Sequence, residues 1–273
     1  MNHDAEPSGD SNGADDGGDE PQRVDHADAA TYLASITADA DRIAAAWEVG
    51  PPSAPVTACP GWTLRDLLVH TGAVHRWATH AIVHASPPDG GLSSAPDDGA
   101  ELGVWLREGA NALVDALDDL DPDGETWHPF PIERRGWVWA RRQAIETMLH
   151  RFDAETAVGS TSTLRPDLAV VGVHECLEVG YPRATTRDGL SYPGASLHIH
   201  CTDDELPAGW GEWLLRVVGG DYVLTTEHAK GDAALRGRAE DVLLVLMGRR
   251  DRDVLDVVGD DAAAAAWLEL PAW

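Results

Sequence analysis

The segment RRGWVWARRQAIETMLHRFDAE, residues 134 to 155, constrains the fold more than any other, because its helical pattern turns ionisable groups toward the protein interior. At about 100° per residue, Trp139, Glu146, His150, Asp153 and Ala157 fall in one narrow sector, flanked by Val138, Ile145 and Leu149. An unpaired buried carboxylate costs several kcal/mol, so Glu146 requires an arginine, a protonated histidine or a metal ion beside it. Glu146 and His150 stand at i and i+4 and are side-chain neighbours on a helix. The pair alone is compatible with two arrangements: a shared divalent ion, or a carboxylate paired with Arg142.

Other stretches supply the partners of this helix. Residues ~25 to 48 carry Tyr32, Leu33, Ile36, Ile43 and Ala44 at helical intervals, and Gly50, Pro51 and Pro52 stop them. The second helix has a well-marked start: Thr63 as N-cap, Asp66 at N3 of a capping box, and Trp62 placed to staple onto Leu67. Its apolar stripe is Leu64, Leu67, Thr71, Val74 and Ala78, with His70 at the edge. His70 reads either as a half-buried structural histidine or as a third ligand facing Glu146 and His150, the way bundles build metal sites from facing helices. His75 and His80 fall at less favourable angles. A Pro/Gly/Ser/Asp loop spans 85 to 98, and a third helix runs ~99 to 120 with Leu102, Trp105, Leu106, Ala110, Leu113 and Leu117 on one face. The tryptophans and Phe130 around the start of the fourth helix read as core or as the wall of a pocket.

An all-α four-helix bundle over residues 23–160 is therefore expected, preceded by a disordered acidic tail over 1–22. GSTSTLRPD, 159 to 167, reads as the linker out of it. Residues 167 to 183 read as a helix. Period-two runs follow at 195–203, 211–218, 221–228 and 232–238, separated by Gly and Asp turns that suit an antiparallel sheet. A helix over 239–251 with a stop at Gly248, a short strand in VLDVVGD and a final helix in DAAAAAWLE complete a smaller α+β domain, 161–273. His198 and His200 share one face of a strand, but no acidic third ligand lies near them in sequence.

A formal charge of −27, from 47 acidic and 20 basic residues, argues against partners that are nucleic acids or anionic membranes. Three cysteines without CxxC spacing fit a reducing cytoplasm better than a disulfide framework. Neither a signal peptide nor a membrane span is expected. GxGxxG, GxxxxGKS, HExxH and GxSxG are all missing from the sequence.

Two motifs, E-x-x-x-H-R-x-D at 146–153 and W-[ST]-x-R-D-L-x-x-H at 62–70, resemble those of the mycothiol-dependent maleylpyruvate isomerase family, a branch of the DinB-like metal-dependent bundles. LHIHCTD, GEWL, HAKGDAALRGRAEDVLLVLMGRRD and VVGD resemble its C-terminal domain. The resemblance implies a divalent metal, usually zinc, on His70, Glu146 and His150, with mycothiol as thiol cosubstrate. It implies an isomerase or thiol S-transferase acting on a small electrophilic substrate, as a monomer or homodimer. Arg142, Arg151 and Arg76 are candidates to hold carboxylates of substrate or cofactor, Asp153 to support His150, and Trp139 to line the cofactor pocket. One departure is VGVHECLEV, where His174 precedes Glu175 in place of the family's Asp-Glu pair. A non-catalytic small-molecule-binding or stress-response accessory protein on the same fold is the alternative reading, and a regulatory protein with an anti-sigma-like partner is a third.

Overall fold

The computed structural model describes residues 29–207 and 209–271. The tail expected at 1–22, and the first residues expected of helix one, lie outside the described residues.

Four long helices form the first layer: α1 (Ala29–Val49), α2 (Leu64–His84), α3 (Gly99–Asp118) and α4 (Trp137–Ala157). The α2 start is fixed as its sequence specifies, with the Thr63 side chain accepting from the Asp66 amide and Asp66 accepting from the Thr63 amide. Helix α3 is capped by Asp98. Each helix packs principally on two others: α1 on α3 and α4, and α2 on the same pair. The approach of α2 and α3 is close because Gly72 has no side chain where the Trp105 ring lies; a Cβ there would stand 2.2 Å from it. Ile43, Leu64, Leu67, Leu68, Leu102 and Leu106, all fully buried, fill the bundle at this end.

Helix α5 (Pro166–Glu175), a π-helical turn (Cys176–Gly180) and α6 (Tyr181–Asp188) follow without a break. The expected helix over 167–183 is thus longer and contains a widened turn. Strands β1 (Leu197–Cys201), β2 (Glu212–Val218), β3 (Asp221–Thr225), β4 (Ala233–Gly237) and β5 (Asp256–Gly259) form one sheet in the order β3-β2-β1-β4-β5. Three pairings are antiparallel, β1–β2 and β2–β3 between successive strands and β4–β5 across the helix-containing stretch 238–255, while β1 and β4 pair in parallel. The reason is topological. Residues 226–232 carry the chain from the end of β3 back to the start of β1, where Asp232 accepts from the Ser196 amide and hydroxyl, so β4 begins beside the first residue of β1.

One face of the sheet is apolar: Leu197, Ile199, Trp213, Leu215, Ala233 and Leu235 are completely buried beneath the helices. Helices α7 (Ala239–Leu246) and α8 (Asp261–Leu268) lie against β4, and α5 packs between α4 and α7. The resulting core is continuous from Trp139 and Ile145 of the bundle through Val171 and Leu243 to Trp267. No helix among the described residues is long and apolar enough to cross a membrane.

Candidate functional site

Helix α4 carries the site because its position in the bundle buries it on nearly every side, ionisable residues included. Glu146 and His150 lie one turn apart, and the Glu146 Oε1 atom stands 3.1 Å from His150 Nε2. His70, at the edge of the α2 stripe, brings its Nε2 to 3.4 Å from the same oxygen. The two imidazoles are edge-to-face with centroids 5.1 Å apart, and Trp62, in the turn that caps α2, packs against both. One ligand atom from each of His70, Glu146 and His150 lies within 4.8 Å of the others. Two imidazoles and a carboxylate are a usual three-residue donor set for a zinc ion that keeps an open position.

The surroundings hold this trio in place. Oε2 of Glu146 is taken by a very short ion pair with Arg142, whose Nη1 donates to Glu175 of α5 at 2.8 Å. Arg142 is thereby bound to two carboxylates, and Glu146 is paired with arginine through one oxygen while the other faces the histidines. Nδ1 of His150 lies 3.2 Å from Asp153 Oδ2, an arrangement that fixes the ring and turns its other nitrogen to Glu146. Asp153 in turn accepts two bonds from Arg249, at 2.9 and 2.7 Å. Arg249 lies just past α7, in the second domain, and its relation to the site has no counterpart in sequence spacing.

The electrostatics favour a cation. Burial pushes the Glu146 carboxyl up, but Arg142 and then His150 outweigh it and hold it well below the usual carboxylate range. Burial likewise pulls the His150 imidazole down, while Glu146 and Asp153 prevail and push its pKa up to about 9. Glu146 and Asp153 therefore stabilise positive charge on His150.

The trio opens on a cleft of about 670 Å³ walled by both domains: Ala58, Cys59 and Trp62 from the turn before α2, Val245 to Arg249 at the end of α7, and Leu268 to Pro271 after α8. That volume suits a small-molecule ligand. Burial and the nearby Asp153 raise the pKa of the Cys59 thiol, so the chain's own sulfur in this cleft is kept protonated.

Several residues singled out from the sequence lie elsewhere. Arg76 donates to the Gly72 and Trp105 carbonyls and lies 4.0 Å over the Trp105 ring, against α3. Arg151, one residue from His150 but about 100° around the helix, pairs with Asp39, Glu155 and Ser162 on the α1 side. Trp139 is fully buried, donates to the Trp127 carbonyl and packs on Trp77 and Phe130, so it is core rather than pocket wall. His75 is also fully buried, with Nε2 2.9 Å from Thr147 Oγ1. His80 packs against His84 with the two rings tilted. His174, the departure noted in VGVHECLEV, accepts from the Trp213 indole, so it ties α5 to the sheet.

A four-helix bundle that presents two histidines and a glutamate into a cleft closed by an α+β domain defines a class of two-domain proteins with a candidate metal-ligand set in the first domain. Within that class, residues 33–155 match the family model described as the mycothiol maleylpyruvate isomerase N-terminal domain, and residues 167–266 match the model of the corresponding C-terminal domain. The chain belongs to the mycothiol-dependent maleylpyruvate isomerase family. Its fold is similar to a crystal structure of the mycothiol-dependent maleylpyruvate isomerase, with a TM-score of 0.55 and 11% identity over 89% of this chain and 95% of that one. A histidine-to-alanine mutant structure of that description gives a TM-score of 0.56 and 9% identity over the same shares. No curated protein matches by sequence.

Proposed function

We propose that the protein is a divalent-metal enzyme, with zinc the favoured ion, that uses mycothiol to act on a small electrophilic unsaturated acid, as an isomerase or as a thiol S-transferase. The observation that carries this reading is the convergence of His70, Glu146 and His150 on one point at the floor of an interdomain cleft. His70 and His150 would supply nitrogen ligands and Glu146 its Oε1. When bound, the ion would lower the pKa of an incoming thiol and so supply a thiolate at neutral pH.

The chain's own residues have distinct tasks in this scheme. Arg142 engages the second oxygen of Glu146 and leaves the first for the ion. Asp153 accepts from His150 Nδ1 and turns Nε2 toward the site, where a bound ion would take the place of its proton, while Arg249 holds Asp153. Burial and Asp153 favour the protonated form of the Cys59 thiol, which suits a scheme in which the reacting sulfur is that of the cosubstrate. The thiolate adds to one carbon of a cis double bond conjugated to a carbonyl, and the electron pair moves onto the carbonyl oxygen. Rotation about the new single bond, return of the pair and loss of the thiolate give the trans isomer with no net gain of protons or electrons. Transfer of the thiol stops after the addition, with a proton delivered to the second carbon.

Metal analysis and a thiol-dependence assay test this together. Full-length protein purified without chelator is expected to hold one more ion per chain than Glu146→Gln, and to act on maleylpyruvate or an electrophilic acceptor with mycothiol but not with glutathione or without thiol. An ion count per chain unchanged in Glu146→Gln, or turnover independent of thiol, would overturn the reading.

A further inference from the structure

The outer face of the sheet carries a second group of side chains with ligand chemistry. His198 and His200 alternate along β1, and Glu212, the first residue of β2, stands opposite His200 in the register. His228 lies in segment 226–232, which recrosses the sheet between β3 and β4. His198 Nε2 is 3.2 Å from Glu212 Oε2, His228 Nδ1 is 2.5 Å from the same oxygen, and His200 Nε2 is 3.5 Å from Oε1. Three ring centroids surround the carboxylate at mutual distances of 5.7, 6.1 and 6.3 Å.

The same atoms are placed closely enough to share one metal ion. Ligand atoms from His198, Glu212 and His228 all lie within 4.8 Å of one another, and a tetrahedral zinc with bonds of about 2.0–2.1 Å holds its ligands about 3.3 Å apart. The ion pairs of Glu212 run to these three imidazoles, whereas Glu146 shares its charge with an arginine. Imidazole nitrogens with a single carboxylate suit late first-row ions rather than calcium or magnesium, which take oxygen shells. Access needs no opening of the fold: His198 is buried against the sheet, and His228 is 81% exposed at the outer edge.

We propose that His198, Glu212 and His228 form a second site for a divalent late transition-metal ion, zinc foremost, which fastens segment 226–232 onto the sheet. The three residues come from β1, β2 and segment 226–232, so an ion held by them ties those pieces together and its role is structural. The site lies in the other domain from His70, Glu146 and His150 and does not depend on the function proposed for them.

Lys230, the only lysine in the chain, gives a direct readout, because it is exposed and two residues from His228. A lysine-specific protease cuts the full-length chain at this one position. With untagged, chelator-stripped protein, zinc well above its dissociation constant is expected to slow the cut at Lys230 by about tenfold or more in wild type and in His70→Asn. The same zinc is expected to have no effect on His228→Asn or Glu212→Gln. Zinc counts by a chromophoric competitor should fall by one ion per chain in His228→Asn. If His70→Asn loses no zinc while His228→Asn does, the bundle reading fails and this one stands. Equal slowing in wild type and His228→Asn, or an unchanged zinc count in His228→Asn, would overturn it.

Discussion

Asp153 joins the two domains through single atoms: Oδ2 accepts from His150 of the bundle and from Arg249 of the second domain. Replacing it with Asn keeps the shape but removes the charge that orients His150, and partners of this kind are worth about 10- to 100-fold in metal affinity. Asp153→Asn is therefore expected to lower zinc affinity by that factor in a chelator competition while the far-UV spectrum is unchanged. An unaltered affinity would remove Asp153 from the site. His75 yields a second residue-scale expectation. Thr147 donates its hydroxyl to the Gln143 carbonyl, so it accepts from His75 Nε2–H, and the imidazole is neutral. Burial lowers its pKa to about 3 from 6.5. The unfolded chain takes up a proton here as pH falls below about 6.5 and the folded chain does not, so stability is lost on the way down. Between pH 7 and pH 5 one such group costs about 2 kcal/mol, and urea titrations of wild type and His75→Gln under chelation should differ in pH dependence by that amount. Identical slopes would place the proton on both states. Glu146, His150 and Asp153 were visible in the sequence because one helix sets their angles. Arg76 and Arg151 were chosen for nearness along the chain, and nearness does not control direction: at 100° per residue Arg151 points at α1. Arg249 and Glu212 acquire their roles only through contacts 96 and 14 residues away, which no local pattern encodes.

Helix α2 shows how an element converts a local signal into site geometry. Its first turn is fixed by Thr63 and Asp66, and seven residues after the cap His70 faces α4. Asp66 accepts from the Thr63 amide and hydroxyl, so removing its carboxylate leaves an N-terminal donor to water and loosens the turn that also holds Trp62 against both imidazoles. Asp66→Ala is expected to cost about 1 kcal/mol in urea unfolding. A change below a few tenths would mean the cap is dispensable. This helix start was legible to the residue, whereas α4 begins at Trp137, after Gly136, rather than at Arg134. The difference follows from Arg134 and Arg135 pairing with the 124–126 segment through the Thr126–Arg134 backbone bond and the Glu125–Arg135 bridge. Strands were legible by alternation, but alternation is silent on direction. The parallel β1–β4 pair is decided by the path of residues 226–232 across the sheet, and that same path brings His228 over His198.

At the scale of the whole molecule, the cleft exists only where the bundle and the α+β domain meet, and that junction rests on a glycine. Gly172 of α5 sits between Ile145 of α4 and Leu243 of α7; a Cβ there would lie 2.7 Å from Leu243 and 3.4 Å from Ile145. All three positions belong to an apolar layer that is fully or almost fully excluded from solvent. A larger side chain cannot enter without moving α7, and Arg249 follows α7 directly. Gly172→Leu should therefore destabilise the chain by about 1–3 kcal/mol, the usual cost of overpacking, and also weaken zinc at His70, Glu146 and His150 by releasing Arg249 from Asp153. The site on the outer face of the sheet lies on the opposite surface and should keep its ion. Continuity of the core from Trp139 to Trp267 makes a further demand on wild type: chelated protein should unfold in one transition, with tryptophan fluorescence and far-UV signal coinciding. Two separated transitions would show that the domains hold together by the cleft residues alone, and in that case Gly172→Leu would shift one transition and leave the other in place.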